Sequence, residues 1–267
     1  MDLPPAVLEV ARLAVGDAAV AWGRRALPEE VAISLTYNRA AYAVMMATPL
    51  DFEDFGVGFS LNEGIIAGCG ELADLEIHRH ELGLELRMSL AGVAAERTAE
   101  RRRRLAGPVG CGICGIESLA EAVRQLPPVA SSLVVSRAEV LQAVDVLAQS
   151  QQINRQTRAV HSAAFWRPGR GLVASREDVG RHNALDKLAG ALARAGERPA
   201  EGMLVISSRV SIEMVQKAAV MGAGILVAVS APTALAVRSA EAADLTLIAV
   251  ARGDGFEVFS APRRVQA

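Results

Sequence analysis

The second half of the chain alternates short apolar runs with segments of helical periodicity, and this alternation restricts the possible folds more than any other feature. The apolar runs predict strands at 159–166, 171–174, 203–207, 225–229 and 245–250. The segments between them predict helices at about 181–195, 211–221 and 232–242. Because strands and helices that alternate along a chain pack as layers, the sequence predicts an α/β unit in this half.

The first half of the chain has the pattern of two hairpins with a helix between them. Strand-turn-strand patterns occupy residues 31–46 and 75–90. Between these patterns, Thr48 is followed by Pro49 and by a carboxylate three residues further on. A hydroxyl, a proline and a carboxylate at this spacing are typical of a helix start, so we expect a helix capped by Thr48 that ends near Asn62.

An arginine-rich change of composition separates the two halves. This change lies at residues 97–107. Further along the chain, Ser136 and Glu139 form a capping box that predicts a helix from about Arg137 to Gln151. The sequence therefore predicts three parts: a smaller α+β domain at 1–105, a CxxC loop with a connecting helix at 106–135, and an α/β domain at 136–267.

Composition and charge exclude several classes of function. Of the 267 residues, 51% are apolar, which is enough for a sizeable core, and the net charge of −2 gives no sign of nucleic-acid binding. No run of about 18 uncharged apolar residues suggests a membrane span, and we expect a cytoplasmic protein. Three cysteines do not make a disulfide framework, so reduced thiols are expected.

The pair Cys111 and Cys114 forms a CxxC motif among glycines. Helical character at 116–126 places the positive end of a helix beside these thiols, which favours the nucleophilic thiolate. Two other interpretations remain open at this point. The pair is also compatible with a zinc site completed by His161 or His182, and with a thioredoxin-like redox pair.

Three junctions between a predicted strand and a predicted helix carry polar side chains, at Arg176–Lys187, Ser207–Ser211 and Ser230–Thr233. Backbone N–H groups at the first junction, with Arg181 and Lys187, are suited to a phosphate. Surface salt bridges and ordinary helix caps are the alternative explanations. We expect the three junctions to meet at one edge of the sheet and to form a ligand site there.

Four segments together resemble one family, the formate dehydrogenase accessory sulfurtransferases known as the FdhD family. The resemblance extends from about Glu30 to Ser260. The segments that carry it are REDVGRHNALDK at 176–187, CGICG at 111–115, ATPLDFEDFGVGFSLNEGII at 47–66 and SAPTALA at 230–236.

The resemblance implies a sulfur carrier. Cys111 would receive persulfide sulfur from a cysteine desulfurase, with Cys114 assisting, and would deliver it to the bis(molybdopterin guanine dinucleotide) molybdenum cofactor of formate dehydrogenase. A homodimer is also implied. The alternative is a chaperone that binds the cofactor without transferring sulfur, in which the CxxC motif is structural or holds zinc.

The resemblance further implies a C-terminal domain layered like cytidine deaminase and a site there for the cofactor or a GDP-like nucleotide. The deaminase zinc signature is missing, because the segment that starts at His161 lacks the required glutamate. No resident metal is expected. The cofactor-binding candidates are Val250, Ala251, Arg252, Gly253, Asp254, Gly255, His161, Arg181, His182, Ser208, Arg209 and Lys217.

The chain departs from the family pattern at three places in this predicted site. Thr157-Arg158-Ala159 stands where relatives have Thr-Gly-Gly, and Ser207-Ser208-Arg209 stands where they have Ser-Gly-Arg. Val250-Ala251 replaces an aromatic residue before the arginine. Each glycine replacement adds side-chain bulk where backbone would otherwise approach a ligand.

Overall fold

The computed structural model describes residues 3–16, 20–96, 98, 126–253 and 255–266. The N-terminal part begins with a hairpin and continues with a sheet that packs on one helix. The elements are β1 (Val7–Val15), β2 (Val20–Pro28), β3 (Val31–Tyr37), β4 (Ala40–Ala47), α1 (Phe52–Asn62), β5 (Leu72–His80) and β6 (Gly83–Leu90).

The N-terminal sheet, β3 to β6, has the order β4-β3-β6-β5 within the described residues. β3 pairs with β6 in parallel, and the two hairpin pairs are antiparallel, so both predicted hairpins are confirmed. Alternate apolar residues of these strands face α1 and form a core. That core contains Ile33, Leu35, Leu86, Met88, Phe55 and Phe59.

The predicted start of α1 is wrong. The helix begins at Phe52, and its N-cap residue Asp51 has a φ of 55° and makes no capping side-chain hydrogen bond. Thr48 does not cap α1, because its Oγ1 accepts a hydrogen bond from the backbone N–H of Val179, 3.1 Å away. The hydroxyl of Thr48 therefore makes a long-range hydrogen bond instead of the expected cap of α1. The end of the helix at Asn62 agrees with the prediction.

The C-terminal part contains the predicted alternation of strands and helices. Its elements are β7 (Val135–Ser136), α2 (Arg137–Ser150), α3 (Gln152–Thr157), β8 (His161–Arg167), β9 (Gly171–Asp178), α4 (Arg181–Arg194), β10 (Met203–Ile206), α5 (Ile212–Val220), β11 (Ile225–Ala228), α6 (Ala234–Ala242), β12 (Thr246–Arg252), β13 (Gly255–Ser260) and β14 (Val265–Gln266).

The C-terminal sheet, β8 to β13, has helices on both faces. Across its described strands the order is β13-β12-β11-β10-β8-β9, with β10, β11 and β12 parallel and β8 antiparallel to both of its neighbours. On one face, Phe165 and Leu204 pack with Leu188 of α4 and with residues of α5 and α6. On the other face, Trp166 packs with Leu147 of α2. The mixed α/β architecture is confirmed.

The predicted capping box at the start of α2 is also confirmed. Ser136 Oγ accepts from the N–H of Glu139, and the Glu139 carboxylate accepts from the N–H of Ser136. From this start α2 runs along the sheet face opposite α4. None of the helices in the described part of the chain carries an apolar run long enough to cross a membrane.

Candidate functional site

The three predicted junctions do meet at one edge of the C-terminal sheet. The parallel strands β9, β10, β11 and β12 all end there, and β8 begins there. Ser207 follows β10 and exchanges hydrogen bonds with Ser162, while the N–H of Val250 donates to Ser230 O at 3.3 Å. We call this the strand-end edge. It comprises His161, Arg181, His182, Ser207–Ser211, Ser230 and Val250.

The polar residues of the β9–α4 junction are mostly held by the protein itself. Arg176 donates to Asp54 Oδ2 from Nε at 2.9 Å and from Nη2 at 2.6 Å. Glu177 accepts from the N–H groups of Ile153 and Asn154 at 2.9 Å each, and so binds the free donors at the start of α3. These two side chains therefore fix the junction to α1 and α3.

Asp178 and Lys187 form a fully buried ion pair, with 2.7 Å between Lys187 Nζ and Asp178 Oδ2. Lys187 Nζ also donates to Thr48 O, and Asp178 accepts from the N–H of Thr48 and of Gly180 and from Asn183 Nδ2. The expectation that Lys187 contacts a phosphate is therefore wrong. Its ammonium is inside the protein, and the salt bridge is not a surface one.

A second buried ion pair joins α4 to α5. Lys217 Nζ lies 2.7 Å from Asp186 Oδ1, which also accepts from Asn62 Nδ2 at 2.7 Å. Burial raises the pKa of Asp186, while Lys217 opposes that rise. Lys217 thus stands beside the strand-end edge with its charge already paired, and its contact with a ligand stays a prediction.

Arg181 and His182 differ from the rest of the junction. They are the first two residues of α4, and Arg181 Nε and His182 Nε2 are buried atoms with no hydrogen-bond partner among the described residues. Buried polar atoms are nearly always satisfied, so these two indicate a partner, such as a ligand or water, that the described residues do not supply.

The electrostatics of this edge favour an anion. Burial, followed by the charge of Arg181, lowers the pKa of both His161 and His182. Arg209 lowers the pKa of His161 further, and Lys217 that of His182. Both imidazoles are therefore neutral near pH 7 beside permanently charged guanidinium groups. An anionic group placed among them would satisfy the unpaired donors and offset the positive charge.

Ser208 and Arg209 lie between β10 and α5. Ser208 is buried, and its hydroxyl donates to the carbonyl of Arg209 at 3.0 Å. Arg209 is exposed, with its charge close enough to influence His161. The side chain that replaces a family glycine is therefore turned onto its own loop. Arg158, the other glycine replacement, ends α3 in a left-handed conformation with a φ of 57°.

The predicted C-terminal ligand segment begins with a distorted strand end. Val250 has a φ of 54°, which is rare for a β-branched residue, and the pairing with β13 is irregular between Ala249 and Arg252. Ala251 is buried, Arg252 is exposed, and Gly253 has a φ of 62° before Gly255 starts β13. The segment thus reverses direction at the strand-end edge. Asp254 lies outside the described residues.

The two cysteines of the CxxC motif also lie outside the described residues, together with most of the helix predicted at 116–126. The structure therefore does not place Cys111 or Cys114 relative to the strand-end edge. Of the three cysteines, Cys69 is described, and it is partly buried in a 3₁₀ turn after α1.

Fold and site together define a mixed α/β protein with a cationic strand-end edge suited to an anionic ligand. The sequence matches the FdhD/NarQ family over residues 28–266. The chain belongs to the FdhD/NarQ family.

Relatives that are similar over most of their length carry the name sulfur carrier protein FdhD. The relative from Agrobacterium fabrum is 48% identical over 257 residues, which are 96% of this chain and 95% of that protein. The relative from Brucella abortus is 50% identical over 237 residues, 88% of each chain. The crystal structure of a candidate formate dehydrogenase accessory protein from Desulfotalea psychrophila shares the fold, with a TM-score of 0.78, 23% identity and coverage of 98% of this chain and 100% of that one.

Proposed function

We propose that the protein is a sulfur carrier that takes persulfide sulfur from a cysteine desulfurase onto Cys111 and delivers it to the bis(molybdopterin guanine dinucleotide) molybdenum cofactor of formate dehydrogenase. Membership of the FdhD/NarQ family and the names of the relatives support the sulfur-carrying part. The structural observation that carries the proposal is the pair of buried nitrogens, Arg181 Nε and His182 Nε2, that have no hydrogen-bond partner among the described residues of the cationic strand-end edge.

The strand-end edge fits the nucleotide end of such a cofactor, which is here the substrate. A guanine dinucleotide carries phosphate charge, and guanidinium groups bind phosphate through paired hydrogen bonds. Arg181 and Arg209 supply such groups, and both are close enough to lower the pKa of His161. A GDP-like nucleotide would occupy the same place. The distorted segment that starts at Val250 lies at the same edge, and we propose that it borders the ligand there.

The sulfur step needs a thiolate at Cys111. That thiolate attacks the terminal sulfur of the donor persulfide, so that an S–S bond forms on Cys111 while the donor S–S bond breaks. The donor cysteine leaves as a thiolate, and nothing is oxidised or reduced overall. The glycines around Cys111 permit close approach of the donor, and Cys114 assists the transfer.

The remaining parts of the proposal concern architecture and setting. We propose a cytidine deaminase-like layering of the C-terminal part, supported by the antiparallel β8 between β9 and β10 and by helices on both sheet faces. We also propose a homodimer in the cytoplasm, with the desulfurase and formate dehydrogenase as partners. These follow from the family resemblance.

Mass spectrometry tests the sulfur step directly. After incubation with a cysteine desulfurase and cysteine, the peptide that contains Cys111 should gain the mass of one sulfur atom and lose it on reduction. Cys111→Ala should abolish the gain. The matched control is Cys69→Ala, which removes the cysteine outside the motif and should load like the wild type. An unloaded Cys111 peptide in the wild-type protein would refute sulfur carriage.

The second candidate is a cofactor chaperone that transfers no sulfur. It is favoured by the cationic groups of the strand-end edge, which would bind an anionic cofactor whether or not sulfur is transferred. The two functions differ in one measurement: a chaperone with Cys111→Ala would still activate formate dehydrogenase, whereas a sulfur carrier would not. Metal analysis of the purified protein addresses the zinc interpretation of the same motif.

A further inference from the structure

The turn that precedes Arg181 and His182 is held from a different part of the molecule. Val179 N–H donates to Thr48 Oγ1, and Asn183 Nδ2 donates to Met46 O at 2.8 Å. Met46 lies near the end of β4 in the N-terminal sheet, and Thr48 is the first residue after this strand, on the way to α1. The first turn of α4 is therefore attached to the N-terminal sheet on both sides of Arg181 and His182.

The buried pair Asp178 and Lys187 closes this attachment. Lys187 Nζ donates to Thr48 O at 2.8 Å, and Asp178 Oδ2 accepts from Thr48 N–H at 3.0 Å, so both charges hold the same peptide segment. Asp178 Oδ1 meanwhile accepts from Gly180 N–H at 2.8 Å. A Cβ at Gly180 would lie 2.9 Å from Asn183 Nδ2 and would push against the amide that bonds to Met46 and Asp178.

We propose that Asp178, Lys187 and Thr48 are positioning residues that hold Arg181 and His182 toward an anionic ligand. Ligand binding at the edge of the C-terminal sheet would then depend on a segment of the N-terminal part. This inference rests on the proposed function in one respect, the anionic nucleotide as the ligand, and it does not depend on sulfur transfer. It adds a role for a buried network that touches no ligand itself.

Energetics favour positioning over simple stabilisation. A buried ion pair can often be replaced by apolar side chains at no loss of stability, so stability alone does not explain a charged pair at Asp178 and Lys187. A network in which every donor and acceptor is paired has one low-energy arrangement and fixes the groups attached to it. The groups attached here are Arg181 and His182, whose buried Nε and Nε2 atoms have no partner in the described part of the chain.

Two variants test the proposal in the full-length protein. Lys187→Met leaves Asp178 with three N–H donors, from Thr48, Gly180 and Asn183. The buried carboxylate of Asp178 therefore stays hydrogen-bonded in this variant. Thr48→Val removes only the hydroxyl that accepts from Val179 and is the gentler change. If Lys187→Met does not fold, Thr48→Val carries the test alone.

The matched control is Thr246→Val, which also removes a buried, hydrogen-bonded threonine hydroxyl. Thr246 is the first residue of β12, at the end of the strand opposite the strand-end edge, and its Oγ1 donates to Ala261 O at 2.6 Å. Calorimetric titration with GDP measures affinity, and thermal melting measures stability. We expect both folded test variants to bind GDP about tenfold or more weakly, since misplaced support residues typically cost that much. Thr246→Val should bind like the wild type.

Histidine NMR gives a readout that stability alone would not change. His182 faces Arg181, Lys217, Glu213 and Asp186. If Arg181 moves away in Lys187→Met or Thr48→Val, the pKa of His182 should rise toward its ordinary value, while Thr246→Val should titrate like the wild type.

The two measurements separate this inference from the proposed function. If the wild type binds GDP, affinity decides: weaker binding in the folded test variants supports positioning, and wild-type affinity overturns it. If the wild type does not bind GDP, the nucleotide part of the proposed function fails, and the His182 titration decides instead. A raised pKa in Thr48→Val then supports positioning, and an unchanged one overturns it.

Discussion

Gly58 of α1 lies against Gly190 of α4, with no room for a side chain between the two helices. A Cβ at Gly58 would stand 2.6 Å from Gly190 N and 1.7 Å from Asp186 O, and a Cβ at Gly190 would stand 1.9 Å from Asp54 O. All of these neighbours are backbone atoms, which move only with the helix. The N-terminal and C-terminal parts therefore meet backbone to backbone.

Replacing either glycine by alanine should destabilise the protein. We expect Gly58→Ala and Gly190→Ala each to lower the free energy of unfolding by about 3 kcal/mol or more, because the helices must separate to admit a methyl group. Urea denaturation measures the change. Gly70→Ala is the control, since a Cβ there meets nothing within 4 Å. Wild-type stability in both interface variants would show that the helices do not pack this closely.

Asp54 provides the second link between the two parts. Its buried carboxylate accepts from Arg176 and, through Oδ1, from Arg194 Nη1 at 2.5 Å. Asp54→Asn should lower the free energy of unfolding by about 2 to 4 kcal/mol, because two guanidinium groups lose a desolvated anion. The matched control is Glu53→Gln, an exposed carboxylate on the same turn, which should change stability by less than about 0.5 kcal/mol. Equal effects in the two variants would contradict a buried link.

The sequence predicted the elements well where local periodicity determines them. The hairpins, the layered alternation and the Ser136 cap follow from side-chain patterns within a few residues, and the structure retains them. The helix start at Thr48 failed because Thr48 bonds to Val179, which is 131 residues away in the chain. A partner at that distance leaves no local pattern in one sequence.

The same limit applies to the candidate site. The segment 176–187 was recognisable as a dense mixture of charges, and convergence at one sheet edge followed from the strand-helix alternation. The sequence does not predict which charged side chains pair inside the protein, because lysine and arginine, here Lys187 and Arg181, are equally plausible phosphate ligands. The structure distinguishes them, because Lys187 is paired with Asp178 in the interior, whereas Arg181 Nε has no partner among the described residues.

The lowered pKa values of His161 and His182 predict how stability responds to acid. Burial and neighbouring cations disfavour the charged imidazole in the folded state, so the unfolded histidines, with the ordinary pKa of 6.5, bind protons first as the pH falls. Their contribution to stability is therefore fully present above pH 6.5 and is lost as the pH falls through that value. The loss stops at the lower pKa values of the folded state.

Variants of the two histidines isolate this effect. Between about pH 7 and about pH 5, the free energy of unfolding from urea titrations should fall less steeply in His161→Gln and in His182→Gln than in the wild type. Thr246→Val removes a hydroxyl that does not titrate in this range, at the opposite end of β12 from the strand-end edge, and should leave the slope unchanged. Carboxylates face both histidines and raise their pKa: Asp178 at His161, and Glu213 and Asp186 at His182. A slope that stays at the wild-type value would mean that these carboxylates cancel the lowering of the pKa by burial and by the arginine charges. In that case both imidazoles would keep the ordinary pKa of 6.5, and they would help Arg181 to attract an anion only as the pH falls through that value.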